Sequence, residues 1–405
     1  MKAMFAHDHK FYRDEDGNYY SSGQFPYAIW QRYLAVFDEL VVAGRVRTAL
    51  PGERVEQLDL SSGPRVSFLE IPNLSGPVAM LAARREATRL LKNALQDCDA
   101  LIARGSEIGH RAAAIAEELN LPWAAEVTSC PFNSLWNYGS WQGKLYAPIA
   151  AYMTRRLIWK APYAIYVARE FLPRRYPCAG RVVSCSDVQI SQSDEQVLEK
   201  RKDAIAQRRP PVKIGLIGSL TSKYKGIETA MQAVRLIQSR SAPVELHILG
   251  AGDPARWQQL ATKLGVSAQT FFCGALPSGD PVNAWLDEID LYIQPSFAEG
   301  LPRSLIEAMN RGCPALGSSA GGIPELLEAG CIHHPGDSRA LASLLSNALE
   351  DKQWQFLQAE RNFRHAASYD RKLLDQIRHE FWADFASYCQ KGRMQRKLLA
   401  QTMCR

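Results

Sequence analysis

Short apolar runs alternate with helical patterns along most of the chain, and this alternation limits the fold more than any other feature. In the second half, apolar runs lie at 212–217, 244–249, 270–273, 291–294 and 315–317. Apolar residues recur at helical spacing between and after them, in 227–238, 256–264, 281–286, 304–311 and 339–349. Buried parallel strands form continuous apolar runs, and helices connect them. This half is therefore predicted to form a parallel sheet with helices on both faces.

The first half follows the same plan. Strands are predicted at 1–6, 39–43, 66–71, 100–103, 123–127 and 164–168, and helices at 25–40, 78–95 and 110–119. A polar loop is expected at 11–22. The densely charged segment 194–209 separates the halves, and 405 residues suffice for two domains. We predict an α/β protein with parallel-sheet domains at 1–195 and 205–372, which face one another across a ligand-binding cleft.

Charge and cysteine usage narrow the classes of partner and compartment. The net charge of +6 is too small to indicate a nucleic-acid partner. Nine cysteines without any C-x-x-C pair indicate reduced, mostly buried thiols in the cytoplasm. The N-terminal sequence becomes polar from His7 onward, unlike a signal peptide. No run approaches the roughly 18 uncharged apolar residues that span a bilayer.

The segment 295–328 contains two acids, Glu299 and Glu307, at a spacing typical of a loop followed by a helix. Glu299 lies in a loop with Gly300 and Pro302, where its side chain can face a cleft. A helix is predicted to begin near Pro302, and a second one near Pro324. Free N–H groups at two helix starts form an anion cradle. Two alternatives remain open at this point, because Glu307 could cap its own helix through a box with Ser304, and Glu299 could be a solvated loop acid.

A second glycine-containing loop follows the strand at 212–217. It contains Gly218, Ser219, Lys223 and Lys225 immediately before a helix, which suits a diphosphate. The G-x-G-x-x-G pattern of dinucleotide sites is absent, and the alternative is an ordinary turn with solvated lysines. The later turn at Gly250 could also pass close to a ligand. Together, the two acids, the glycine turns and Lys225 form a more specific pattern than any of them alone.

Other candidates have weaker sequence support. Asp14-Glu15-Asp16 matches a D-x-D metal motif, but it lies in a polar segment and is interpreted as a solvated turn. No metal site is therefore predicted. Among the histidines, His7 at the end of the first predicted strand is the best placed acid or base.

The segment 144–181 combines basic and aromatic residues. Leu145, Ile149, Met153 and Leu157 repeat every four residues, as on one helical face. Five further basic residues lie in the tail 391–405, which contains no acid. Such a surface suits an anionic membrane, while the alternative is a core-packed helix with solvated charges. The basic residues of the segment outnumber its single acid, Glu170; they are Lys144, Arg155, Arg156, Lys160, Arg169, Arg174, Arg175 and Arg181.

These motifs resemble those of the retaining glycosyltransferases with the GT-B fold, specifically glycosyltransferase family 4. The resemblance rests on the E-x7-E segment from Glu299 to Glu307, on Gly321-Gly322-Ile-Pro-Glu325, and on Gly218 with Lys225-Gly226. It is closest over 212–330. It implies two Rossmann-like domains, with the C-terminal helix 373–405 packing back on the first.

The resemblance also implies roles for individual residues. Lys225 is expected to hold the donor diphosphate, Glu299 the sugar hydroxyls and Glu307 the ribose. Ser219 replaces a common arginine of the family, so either Lys223 supplies the missing cation or diphosphate binding is weaker. The remaining donor-side residues are Gly218, Gly250, Gly300, Leu301, Pro302 and Gly322, and those expected on the acceptor side are Gly23, His7, Arg104 and Glu126.

The resulting hypothesis is a retaining, metal-independent hexosyltransferase. It would transfer a sugar from a UDP- or GDP-sugar to a glycan or lipid-linked oligosaccharide in surface polysaccharide biosynthesis. The nucleotide sugar is the co-substrate, and no other cofactor is expected. The enzyme would be cytoplasmic, at the inner face of the membrane. Two alternatives are a sugar-nucleotide epimerase of the same fold, which needs acid and base groups in the cleft, and a non-catalytic sugar-binding protein.

Overall fold

The computed structural model describes residues 1–23, 25–50, 55–74, 77–137, 139–237 and 243–403. Within these residues, nine strands of the first half form one sheet. Its strands are β1 (Lys2–Arg13), β2 (Tyr19–Ser21), β3 (Glu39–Thr48), β4 (Asp59–Leu60), β5 (Val66–Ile71), β6 (Ala100–Arg104), β7 (Trp123–Val127), β8 (Tyr163–Tyr166) and β9 (Arg181–Ser184). The helices of this half are α1 (Tyr27–Leu34), α2 (Pro77–Gln96), α3 (Glu107–Glu118), α4 (Pro131–Trp136), α5 (Trp141–Lys160), α6 (Phe171–Arg175) and α7 (Glu195–Gln207).

The parallel part of this sheet has the order β5-β3-β1-β6-β7-β8-β9. The chain thus reverses its direction of travel across the sheet between β1 and β6. Ligands of doubly wound sheets bind at such a switch point, beyond the carboxyl ends of the strands. The irregular part of β1 that follows Ala6, and the end of β6 at Arg104, both lie there.

Six parallel strands form the second sheet in the order β12-β11-β10-β13-β14-β15 within the described residues. They are β10 (Val212–Ile217), β11 (Val244–Leu249), β12 (Thr270–Phe272), β13 (Leu291–Gln294), β14 (Ala315–Ser318) and β15 (Ile332–His333). The helices are α8 (Ile227–Ile237), α9 (Ala255–Leu264), α10 (Asp280–Asp287), α11 (Arg303–Asn310), α12 (Ser338–Glu350), α13 (Lys352–Ala366) and α14 (Arg371–Met403). The switch point lies between β10 and β13. The predicted α/β class with two Rossmann-like domains is confirmed.

The last helix, α14, crosses back to the first domain. Trp382 and Phe385 of this helix are fully buried, and they contact Tyr33, Phe37 and Tyr163 edge-on or tilted. Aromatic contacts of this kind add to the free energy gained from burying apolar area. The core of the first domain therefore includes side chains that follow the second domain in the sequence.

The first strand differs from its prediction. β1 continues to Arg13 and pairs with β2 in an antiparallel hairpin, so the polar loop expected at 11–22 was wrong. Phe11 is buried and contacts Phe25 and Phe68, and this packing outweighs the polar residues around it. Around Pro324 the chain forms a single turn of 3-10 helix, Ile323–Glu325, instead of the predicted α-helix.

The segment between the sheets is the helix α7, which packs against α13. Its Arg201 is buried and donates to the carbonyl oxygens of Leu286 and Arg311. The predicted domain limits at 195 and 205 stay a prediction. No helix in the described part of the chain combines the length and apolar character needed to cross a membrane.

Candidate functional site

A cavity of about 540 Å³ lies between the domains, at the carboxyl ends of both sheets. The first domain contributes Gly23 and the segment that follows β7, including Thr128 and Asn133. The second domain contributes the segments after β10, β11, β12 and β13 and the first two turns of α11. Besides Gly23, the sequence-predicted residues that line it are Gly218, Ser219, Lys225, Gly250, Glu299, Gly300, Leu301, Pro302 and Glu307.

A carboxylate at the floor of this cleft is fixed by three donors. Glu299 Oε1 accepts from Lys225 Nζ at 2.8 Å, from Ser296 Oγ at 2.7 Å and from Gln294 Nε2 at 3.1 Å. Within the described residues, no hydrogen bond to Glu299 Oε2 is present, so this oxygen can accept from a ligand. The Glu299 side chain is only 9% exposed, which strengthens its pairing with Lys225 because water screens it little. Glu299 is therefore not a solvated loop acid.

The end of β13 positions this carboxylate. Gln294 is fully buried, and its Oε1 accepts from Tyr292 Oη at 2.8 Å and from Ser304 Oγ at 3.1 Å. These bonds orient the amide so that its Nε2 donates towards Glu299. The Ser304 hydroxyl donates its hydrogen bond to Gln294, and the N-cap of α11 is Pro302. The capping-box alternative for Glu307 was therefore wrong.

Glu307 lies one helical turn beyond Ser304 and faces the cleft. Burial raises the pKa of its carboxyl group, and the nearby Arg303 guanidinium opposes this effect. No hydrogen bond to the Glu307 carboxylate is present in the described part of the chain. A partly buried carboxylate without donors favours ligand groups that can donate to it, such as hydroxyls.

The glycine turns bring backbone close to this site. A Cβ at Gly250 would lie 2.0 Å from the carbonyl oxygen of Gly218, so the two turns touch and leave no room for a side chain. Ser219 Oγ bonds to Thr221 Oγ1 at 2.8 Å. Lys223 lies outside the cleft and lines a second cavity. The structure thus does not place Lys223 where the missing arginine would act.

Several close contacts join the domains around the cleft. A Cβ at Gly300 would lie 2.1 Å from the carbonyl oxygen of Thr128 in the first domain. The Gly322 N–H donates to the Gly300 carbonyl at 2.9 Å, so Gly322 shapes the loop but does not line the cavity. Glu325 accepts from the backbone N–H groups of Arg169 and Phe171, both at 2.7 Å. The two domains therefore contact each other directly at this side of the cleft.

On the acceptor side, His7 and Arg104 line an adjoining cavity of about 330 Å³. Burial lowers the pKa of His7 well below its ordinary value, and Arg104 adds to this effect. Burial opposes ionisation of Asp187 in the same cavity, but the guanidiniums led by Arg104 hold its pKa at about 2. Glu126 is buried behind this cavity, where it accepts from Tyr33 Oη at 2.6 Å and from Arg104 at 3.4 Å. Glu126 lines neither the main cleft nor the cavity that contains His7, and instead it anchors Arg104.

Sequence reasoning missed Arg303, Gln294 and Ser296. Arg303 lines the main cleft and the cavity that contains His7. Among the described residues, it is the only cation besides Lys225 in the main cleft. The sequence pattern that could have identified Arg303 is a basic residue in the predicted first turn of the helix after Glu299. The signal for Gln294 and Ser296 was a pair of polar residues at the end of an apolar strand.

Asp14 lies in the hairpin turn between β1 and β2. Its carboxylate accepts from the Asn18 N–H at 2.7 Å and from Tyr20 Oη at 3.0 Å, so this residue stabilises a turn. No group of three or more acidic, histidine or cysteine side chains in the described ranges is arranged to hold a metal ion.

Comparisons with known proteins agree with this architecture. The family model described as Glycosyl transferases group 1 matches residues 211–351. Protein CapJ of Staphylococcus aureus is 30% identical over 372 residues, which cover 91% of this chain and 92% of CapJ. The amylovoran biosynthesis glycosyltransferase AmsK of Erwinia amylovora is 32% identical over 155 residues, which cover 36% of this chain and 37% of AmsK.

The crystal structure of HepE from Anabaena in complex with UDP-glucose has a similar fold. Its TM-score is 0.60 at 19% identity, and the alignment covers 94% of this chain and 98% of HepE. The likeness includes both domains, so the predicted GT-B fold is confirmed. The match to CapJ along most of both chains, together with the family model, shows that this chain belongs to the glycosyl transferases group 1 family.

Proposed function

We propose that the protein is a retaining, metal-independent hexosyltransferase of glycosyltransferase family 4. It transfers a sugar from a UDP- or GDP-sugar to a glycan or lipid-linked oligosaccharide during surface polysaccharide biosynthesis. The observation that carries this proposal is the Lys225–Glu299 pair, fixed by Gln294 and Ser296 in the cleft between the domains. The complex of HepE with UDP-glucose and the name of AmsK as an amylovoran biosynthesis glycosyltransferase support the donor class and the pathway.

The donor lies with its diphosphate between Lys225, Arg303 and the first N–H groups of α11. The Glu299 carboxylate already neutralises part of the Lys225 charge, so a second cation is needed for a diphosphate. Arg303 provides it, and the helix start adds unpaired N–H groups. Glu299 Oε2 accepts from hydroxyls of the sugar, while Glu307 accepts from those of the ribose.

The transfer proceeds on one face of the sugar. The bond between C1 and the phosphate oxygen breaks, and the nucleoside diphosphate leaves with its electron pair. The acceptor oxygen forms the new bond to C1 on that face, and its proton passes to an oxygen of the leaving phosphate. Lys225, Arg303 and the N–H groups stabilise the charge that develops on the diphosphate, which is the role a metal ion has in other transferases.

A transfer assay with a matched variant tests this proposal. A thermal-shift screen of UDP- and GDP-sugars first identifies the donor, because a ligand that binds only the folded state raises the melting temperature. With that donor, Glu299→Gln is expected to lose transfer by at least about 100-fold. Glu350→Gln, a substitution of an exposed acid at the end of α12 that lines neither the main cleft nor the cavity around Lys223, serves as the control and retains the wild-type rate. Failure of every nucleotide sugar to bind, or full activity of Glu299→Gln, would refute the proposal.

The epimerase alternative gains no support from the acceptor side. It needs groups that titrate near neutrality. His7 Nδ1 accepts from the backbone N–H of His9 at 3.1 Å, and burial keeps the ring neutral. Incubation of the donor alone in deuterated water provides a control, since an epimerase incorporates deuterium into the sugar and a transferase does not.

We also propose that α5 binds the anionic inner face of a membrane. The residues of α5 that pack into the core are Ala147, Ala150, Thr154 and Ile158. Of the predicted face, Leu145, Ile149 and Met153 are instead 69%, 52% and 43% exposed, whereas Leu157 packs against the core. The exposure of these three apolar side chains supports the membrane interpretation of the face. Lys144, Arg155 and Arg156 on the same helix provide charge complementarity to anionic lipids. Most side chains of the basic tail 391–405 lie outside the described residues.

Co-sedimentation with phosphatidylserine-containing liposomes tests this surface. Wild-type protein is expected to bind at low salt and to dissociate at high salt. Leu145→Glu with Ile149→Glu abolishes binding, whereas Leu236→Glu, at an exposed leucine on α8, does not. Binding of the double variant equal to wild type would contradict the proposal.

A further inference from the structure

A second cavity of about 630 Å³ adjoins the main cleft. Tyr224 lines both cavities. The helix α4 also connects them, since Asn133 lies in the main cleft and Trp136 in the second cavity. A glycan in the acceptor part of the cleft could therefore extend into the second cavity. Its volume is within the roughly 300–1,000 Å³ of small-ligand pockets.

Four cationic side chains surround this cavity, from both domains: Lys144, Lys223, Arg256 and Lys263. None of the four forms a salt bridge with another residue in the described part of the chain. Glu228 is the one acid among the lining residues described, and its Oε1 already accepts from Gln232 at 3.3 Å. The cavity therefore carries an excess of positive charge, which favours an anionic ligand.

Aromatic surface accompanies these cations. Trp136 is 45% exposed and stacks on Phe132, with ring centroids 5.3 Å apart. Its ring is therefore held in one orientation, while Lys144 Nζ lies 6.0 Å from its centroid. Tyr224 and Phe297 supply further partly exposed rings. A rigid ring next to cations can pack against the apolar face of a sugar and leave the acidic group of that sugar to the lysines.

We infer that this second cavity binds an anionic saccharide, such as a short glycan that carries carboxylates. The excess of four cations over one acid favours an acidic sugar over a neutral one, and the aromatic rings favour a saccharide over a simple inorganic anion. The inference rests on the proposed function only in that the bound glycan would belong to the acceptor. Binding itself requires neither the donor nor catalysis.

Calorimetric titration of the full chain tests the inference with two probes of equal length. The first is a tetrasaccharide of glucuronate, and the second is neutral cellotetraose. The acidic probe is expected to bind at low salt and to weaken as salt rises, while the neutral probe binds at least about tenfold more weakly. Equal affinities for the two probes, or no binding of the acidic probe, would overturn the inference.

Variants locate the binding. Lys263→Glu is expected to weaken binding of the acidic probe by at least about fivefold, because an attraction becomes a repulsion. Lys200→Glu, at an exposed lysine of α7 outside the cavity, leaves the affinity unchanged. Trp136→Ala weakens it as well. Unchanged affinity of both Lys263→Glu and Trp136→Ala would refute the assignment of the site.

Competition separates this inference from the proposed function. UDP is expected not to displace the acidic probe, since the two occupy different cavities, and displacement would overturn the inference. Binding of the acidic probe by a protein that binds no nucleotide sugar would leave the inference standing and remove the proposed function. If Lys263→Glu still binds the nucleotide sugar, its lower affinity for the acidic probe results from a change at the second cavity and not from unfolding of the protein.

Discussion

Substitution of Gly300 by alanine introduces a methyl group between the two domains. Its Cβ would lie 2.1 Å from the carbonyl oxygen of Thr128 and 3.3 Å from Val167 Cγ2, both in the first domain. Contacts of a real Cβ below 3.0 Å essentially never occur. The backbones must therefore separate by roughly 0.9 Å at this point, which opens the cleft.

This displacement acts where the donor and acceptor meet. Misplacement of reacting groups by about 1 Å costs on the order of 100-fold in rate, so kcat/KM of Gly300→Ala should fall by about that factor. Binding of the nucleoside diphosphate alone should change little, because Lys225 and Glu307 belong to the same domain as Gly300. The melting temperature should remain near that of wild type, since separation of the domains relieves the clash.

Steady-state kinetics with the identified donor, calorimetry with the nucleoside diphosphate and small-angle scattering measure these three effects. Gly330→Ala is the matched control, because no atom lies within 4 Å of a Cβ at that position. A wild-type kcat/KM for Gly300→Ala would refute the reasoning. An equal loss of diphosphate affinity and of kcat/KM would also refute it, because the effect would then lie in the second domain alone.

Three further predictions concern ionisable groups. Burial raises the pKa of Glu307, so its charged form destabilises the empty fold, and Glu307→Gln should raise the melting temperature at pH 7. The same substitution should weaken nucleotide-sugar binding. An unchanged melting temperature would contradict this. Burial lowers the pKa of His9 and His110 from 6.5 to about 4. Thermal melts should therefore show stability that is fully present above pH 6.5 and falls between pH 6.5 and about 4, and a flat profile there would be inconsistent with it. Glu325→Ala removes the acceptor for two N–H groups of the first domain. The value of kcat/KM should drop about tenfold, with little change in the affinity for UDP alone. Equal losses of kcat/KM and of UDP affinity would argue against a role of Glu325 in holding the domains together.

The sheets and much of the donor side could be predicted because local sequence determines them. β10, β11 and β13 have the predicted limits, since each is an apolar run with polar or turn residues at both ends. Parallel order then brings the ends of β10 and β13 together, which places Lys225 next to Glu299. This proximity follows from topology and needs no knowledge of side-chain packing.

The parts that could not be predicted depend on side-chain direction and burial. Lys223 and Lys225 are two residues apart on one short 3-10 turn, so they point into different cavities. Glu126 appeared to be available for a ligand, but it lies on a buried strand and its charge is met by Arg104 and Tyr33. Partners at this sequence separation cannot be identified from one sequence.

The return of α14 to the first domain has a consequence for synthesis of the chain. Trp382 and Phe385 cover Tyr33, Phe37 and Tyr163, which emerge from the ribosome long before them. At roughly 5–20 residues per second, even the shortest of these intervals, about 200 residues from Tyr163 to Trp382, lasts on the order of 10–40 s. During this time the nascent first domain exposes an aromatic surface, and the second domain can finish folding before it. Ribosome-bound chains that end near residue 370 should therefore bind holdase chaperones through the first domain.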